Sequence, residues 1–136
     1  MVIVSRGEEF AELQKLAERL NIAKRVYFLG WVVNPHKYVK NAKLFVLSSD
    51  IEGFGNVIVE SLSVGTPAVS TDCPVGPREI LDDDLASFLS EPGSIQDLKI
   101  KIEVALSSYP KIDTDMLLKF DSDKITNEYL KLGLDN

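Results

Sequence analysis

Five short apolar runs alternate with helical patterns along this chain, and that alternation constrains the fold more than any other feature. The runs are VIVS (2–5), RVYFLG (25–30), KLFVLS (43–48), TPAVST (66–71) and, more weakly, ASFLS (86–90). Between the first two, Phe10, Leu13, Leu16, Ala17 and Leu20 recur at spacings of three and four, one face of a helix over 8–20. A brief helix is expected over 35–42, with Pro35 acceptable in its first turn, and further helices over 56–64, 95–106 and 120–132. Runs that are apolar on both faces belong to a parallel sheet covered by helices on both sides. The expected architecture is a three-layer, Rossmann-like α/β domain with a mostly parallel sheet. Such sheets bind ligands in the crevice beyond the carboxyl ends of their strands. The turn at 48–55 lies at such an end.

Composition narrows the function classes. At 136 residues the chain is read as one domain, 1–136, and 45% hydrophobic with 26% charged residues is an ordinary globular balance. A net charge of −6 argues against broad attraction to nucleic acid, so no nucleic-acid partner is expected. No run of apolar residues is long enough to span a membrane, and the first residues lack a secretory pattern, so the expectation is cytoplasmic. The single Cys73 cannot form an internal disulfide and reads as a free structural thiol. One histidine, His36, leaves little for zinc, and Asp82–Asp84 reads as a solvated turn. No metal or cofactor is expected.

The stretch SSDIEGFGNVIVE (48–60) carries the chemistry. A strand ends, the chain turns through Gly53 and Gly55, and a helix begins near Asn56. Glycines let a ligand approach the main chain closely. The first amides of the helix lack internal partners and carry the positive end of its dipole, a combination suited to phosphate. Glu60 falls four residues after Asn56, on the same face and about 6 Å along the axis. It lies off the stripe of Ile58, Val59 and Leu62 that should face the core. A carboxylate there is repelled by phosphate but can accept from the vicinal hydroxyls of ribose. Glu52, before the turn, is placed to meet whatever hangs on the far side of the phosphates. A purely structural alternative stands beside this: an acid early in a helix is favoured by the dipole alone, and glutamates before glycine turns are common on surfaces.

With Glu, seven residues, Glu in EGFGNVIVE, and the continuation SLSVGTPAVSTDCPVGPREI, the chain resembles the carboxyl-terminal, donor-binding half of family 4 glycosyltransferases, retaining enzymes of the GT-B fold. The likeness extends more weakly over RVYFLGWVVNPHKYVKNAKLFVLSS and KFDSDKITNEYLKL. The resemblance implies that Glu60 binds the ribose of a nucleoside-diphosphate sugar and that Gly55, Asn56 and Val57 offer amides to the diphosphate. It implies that Glu52, the candidate catalytic residue, contacts the donor sugar with Gly53 and Phe54, and that the base sits by the loop at 30–33, flanked by Trp31 and Val32. The activity implied is sugar transfer with retention to a saccharide or lipid-linked acceptor, as in polysaccharide biosynthesis. Amides and cations would stabilise the leaving diphosphate. Glycosidase chemistry with paired carboxylates fits less well, because one carboxylate is committed to ribose.

The chain also departs from the family pattern. The family's donor domain normally begins with another strand and helix, which carry an arginine and a lysine on the diphosphate. This chain starts at what reads as the second strand, and Arg6, in VSRGEE, does not match that arginine. The amino-terminal acceptor domain is missing too. The expectation is therefore a fragment that binds donor weakly, transfers nothing alone, and self-associates through an exposed sheet edge. The full-length enzyme is expected in the cytoplasm or at the inner face of the membrane. The alternative is a non-catalytic nucleotide-sugar-binding module or truncated remnant. Arg78 is read either as reaching the diphosphate or acceptor or as a surface residue.

Overall fold

The computed structural model describes residues 1–4 and 7–134, the side chains of 132–134 excepted. Ser5 and Arg6, on which two of the expectations above fall, lie outside the described residues. The chain divides into two compact units, Met1–Lys37 and Tyr38–Asn136.

In the first unit, β1 (Val2–Ile3) pairs in parallel with β2 (Tyr27–Phe28). The connection between them is α1 (Phe10–Arg19), as parallel pairing requires a crossover. The ladder is extended by the Tyr27 amide donating to the Met1 carbonyl at 2.9 Å and Leu29 to Ile3 at 3.0 Å. Phe10 of α1 meets Phe28 edge-on at 5.4 Å between ring centroids. Ala17 is the residue of α1 that is fully buried, whereas Leu13, Leu16 and Leu20 of the expected core face are exposed. A ladder of two residues per strand offers too little apolar surface to cover a three-turn helix.

The second unit holds a parallel sheet in the order β3 (Phe45–Leu47), β4 (Ala68–Thr71), β5 (Leu89–Ser90). All four residues of β4 are buried, as a central strand covered on both faces demands. Helix α3 (Asn56–Ser63) joins β3 to β4 and packs on both, driving Ile58 and Leu62 into the core beside Val69 and Ile80. The short α4 (Pro77–Ile80) starts with proline in its first turn. Helix α5 (Ile95–Ser107) is capped by Ser94, whose hydroxyl accepts from the Asp97 amide at 3.2 Å, and packs on β4 and β5. At the start of α6 (Ser122–Leu134), the Asp121 carboxylate accepts from the Lys124 amide at 2.9 Å. Between the units in sequence runs the five-residue α2 (His36–Lys40).

The parallel α/β class read from the sequence is the class observed. The fifth apolar run differs: Asp83–Phe88 winds as a 3-10 turn and the strand is confined to Leu89–Ser90. Leu85 and Phe88, three apart, are both buried, which is the period of a 3-10 turn and not of a strand. Tyr109 supplies what that short strand leaves open. β5 pairs with Ser70 and Thr71, so the Ala68 peptide on that side has no strand neighbour. The Tyr109 hydroxyl accepts from the Ala68 amide at 3.2 Å and donates to its carbonyl at 3.0 Å. Its ring stacks on Phe88 with centroids 4.2 Å apart. Among the described residues no buried side-chain nitrogen or oxygen lacks a hydrogen-bond partner.

Candidate functional site

The turn after β3 places the candidate residues. Gly55 is the N-cap of α3 with φ +87° and ψ 42°, a left-handed conformation that glycine adopts without a Cβ penalty. Having no side chain, it leaves the helix start without a side-chain cap. The Ile58 amide already bonds to the Gly55 carbonyl at 2.8 Å, so Asn56 and Val57 lie ahead of the ladder, where amides are turned out of the helix end. Ile58 and Leu62 are fully buried, which fixes the rotation of α3 and turns Glu60 to the exposed side. Glu52 stands half-buried on the other side of the turn, and the Ser49 hydroxyl donates to its Oε1 at 2.6 Å. One hydroxyl satisfies a fraction of a carboxylate's acceptor capacity.

Phe54 is turned inward. Its ring meets Phe120 edge-on at 5.3 Å and packs against the core, so at the turn surface Phe54 offers its backbone. Behind it lies Gly76, with φ +95°. A Cβ there would sit 2.1 Å from the Phe54 carbonyl oxygen. The segment after β4 thus presses on the turn after β3. Cys73, in that segment, is buried, and its thiol donates to the Ser49 carbonyl at 3.0 Å, a structural contact. Arg78 donates from Nε to Asp72 at 3.1 Å and pairs with the same carboxylate through Nη2, its side chain 69% exposed.

Glu52, Gly53, Phe54, Gly55, Asn56, Val57 and Glu60 are therefore gathered on one strand–turn–helix of the second unit. Trp31 and Val32 belong to the first unit, where Trp31 is 84% exposed and Val32 half-buried. Sequence reasoning passed over Ser49 and Thr71, and read Gly76 as the opening of a Gly-Pro-Arg-Glu helix start without its contact with the turn. The Ser-x-x-Glu spacing of Ser49 and Glu52, which suits a hydroxyl–carboxylate contact, was the one available signal. Among the described residues no group of three or more His, Cys, Asp or Glu side chains is placed to hold a metal, and no helix is long and apolar enough to cross a membrane.

Comparison with known proteins shows the family. Residues 1–116 match the family described as glycosyl transferases group 1. The chain belongs to that family. The lipopolysaccharide 1,6-galactosyltransferase of Salmonella typhimurium is 32% identical over 119 residues, 85% of this chain and 33% of the relative. The N-acetylgalactosamine-N,N'-diacetylbacillosaminyl-diphospho-undecaprenol 4-alpha-N-acetylgalactosaminyltransferase of Campylobacter jejuni is 34% identical over an alignment of 137 residues, 96% of this chain and 38% of the relative. Among solved structures, Anabaena Alr3699/HepE in complex with UDP superimposes with a TM-score of 0.84 at 25% identity, covering 99% of this chain and 40% of that one. This glycosyl transferase chain has the fold of the carboxyl-terminal domain of a GT-B enzyme. It spans a third to two fifths of the length of these three proteins.

Proposed function

We propose that this chain is the donor-binding part of a retaining glycosyltransferase that moves a sugar from a nucleoside diphosphate to a saccharide or lipid-linked acceptor. The observation that carries the reading is the turn at Gly55: a helix start without a side-chain cap, with a carboxylate on either side of it. The diphosphate binds the amides of Gly55, Asn56 and Val57. Glu60 takes the ribose hydroxyls. Glu52, with Gly53 and the Phe54 backbone, faces the donor sugar. As the bond from the anomeric carbon to the phosphate oxygen breaks, negative charge grows on the diphosphate, and oriented amides stabilise that charge without reorganising. Among the cations near the turn, Arg78 is tied to Asp72. The binding partner implied is a nucleotide sugar held by the amides and carboxylates of this turn.

The nucleotides to try follow from the relatives: two are named as galactosyl- or N-acetylgalactosaminyltransferases, and the Anabaena structure holds UDP. The test is a titration by amide NMR with UDP, GDP, ADP and UDP-galactose, on this chain and on Glu60→Ala. The expected result is shifts at Gly55–Val57 with a uridine nucleotide, lost in the variant, while the folded spectrum stays intact because Glu60 is exposed. The Trp31 indole signal reports separately on the loop at 30–33. No shifts with any nucleotide at millimolar concentration would sink the proposal. Retention is read from the anomeric configuration of the product made by an enzyme containing this domain.

A further inference from the structure

The geometry points to Ser49 as a positioning residue that aims Glu52, anchored by the segment that follows β4. The inference rests on the donor-binding reading of Glu52. The contact of 2.6 Å from the Ser49 hydroxyl to Glu52 Oε1 is in the range of a hydroxyl donating to a charged carboxylate. Ser49 is itself held. Its carbonyl accepts from the Thr71 hydroxyl and from the Cys73 thiol, the latter at 3.0 Å. A carbonyl has two lone pairs, so these two donors fill it and fix the peptide plane. Both donors are buried.

The register of the sheet explains why they meet. Leu47 of β3 lies opposite Ser70 of β4, the last pair of the ladder, and just beyond it the Thr71 hydroxyl and the Cys73 thiol reach the Ser49 carbonyl. Gly76, pressed on the Phe54 backbone, holds the other end of the turn. The main chain is thus fixed at residues 49 and 54, on either side of Glu52. What remains free is rotation of the Glu52 side chain, a long chain with large rotamer entropy. The Ser49 hydroxyl restricts that rotation before any ligand arrives, which lowers the ordering cost of binding. Only a ligand group that Glu52 touches benefits. On the donor-binding reading that group is the sugar and not the nucleoside diphosphate.

The experiment uses the 136-residue chain as wild type, Ser49→Ala and Ser49→Thr. Glu52 χ1 couplings are measured by NMR, together with affinities for UDP and UDP-galactose. The expected result is one Glu52 rotamer in the wild type and in Ser49→Thr, which keeps the hydroxyl, and averaging in Ser49→Ala. The preference for UDP-galactose over UDP should fall about tenfold in Ser49→Ala, the scale of a lost hydrogen bond to a charged group, with UDP itself unaffected. A single Glu52 rotamer in Ser49→Ala overturns the inference. So does an equal loss for both ligands, which would mark Ser49 as a structural residue of the turn. A wild type that binds neither ligand overturns the donor-binding reading instead, and the couplings still decide whether Ser49 holds Glu52.

Discussion

Replacing Gly76 with alanine should damage the turn after β3 although the two are more than twenty residues apart. Two costs add. Gly76 has φ +95° and ψ −70°, a conformation close to the rare γ-turn, where a residue with a Cβ is strained by about 1–3 kcal/mol. The added Cβ would also lie 2.1 Å from the Phe54 carbonyl oxygen, 2.5 Å from its carbon and 2.6 Å from its Cα. Ordinary contact begins at 3.4 Å, so the two backbones must separate by about 1.3 Å, the difference between 3.4 and 2.1. Nothing flexible can give way, because Phe54 is anchored through its ring on Phe120. Overpacking of this kind costs about 1–3 kcal/mol. The sum, about 2–6 kcal/mol, is a large share of an ordinary domain's stability of about 5–15 kcal/mol. Two other glycines separate the terms. Gly65 has φ +79° and nothing within 4 Å of a Cβ, so Gly65→Ala should show strain alone, about 1–2 kcal/mol. Gly53 also has nothing within 4 Å and no positive φ, so Gly53→Ala should stay within about 0.5 kcal/mol of wild type. Urea denaturation followed through amide signals of Ile58, Val69 and Ile80 ranks the three. A Gly76→Ala protein no less stable than Gly65→Ala would refute the argument, because the contact with Phe54 would then carry no energy.

Tyr109→Phe should cost about 1–3 kcal/mol in the same assay, since it leaves the Ala68 amide and carbonyl without their partner. Burial raises the Tyr109 pKa above 10.0, the Ala68 contact opposing that rise. The phenol's contribution is therefore fully present below its unfolded value, about 10, and is lost as pH rises through the folded value. Wild-type stability should fall across that alkaline window, and the Tyr109→Phe profile should lack this step; identical profiles would contradict the assignment. Arg78→Gln should change stability by less than about 1 kcal/mol, and by less still in high salt, because its pair with Asp72 is largely exposed. A larger, salt-independent loss in thermal melts would show that the pair works in a dry environment the structure does not give it.

The placement of the candidate residues was largely legible because its signals are local. Glycine at 55 and a polar start at Asn56 mark a helix beginning whatever surrounds them, and the i, i+4 spacing alone puts Glu60 on the face away from Ile58 and Leu62. The fold class was legible for the same reason: doubly apolar runs such as 66–71 need cover on both faces, and β4 has it. The ASFLS run misled because three apolar residues in five fit a strand or a 3-10 turn equally, and burial of Leu85 and Phe88 decided between them.

By itself, then, the sequence determined the order of strands and helices, the turn at Gly55 and the side of α3 that Glu60 takes, since each depends on torsional preference and periodicity within a few residues. The tertiary structure alone decided which segment stands behind that turn. The β3–β4 register brings Thr71 and Cys73 to the Ser49 carbonyl, and closure of the loop after β4 sets Gly76 against Phe54. Such contacts join residues about 22 apart in the chain through a parallel ladder, and no local pattern encodes which residues that ladder will place side by side.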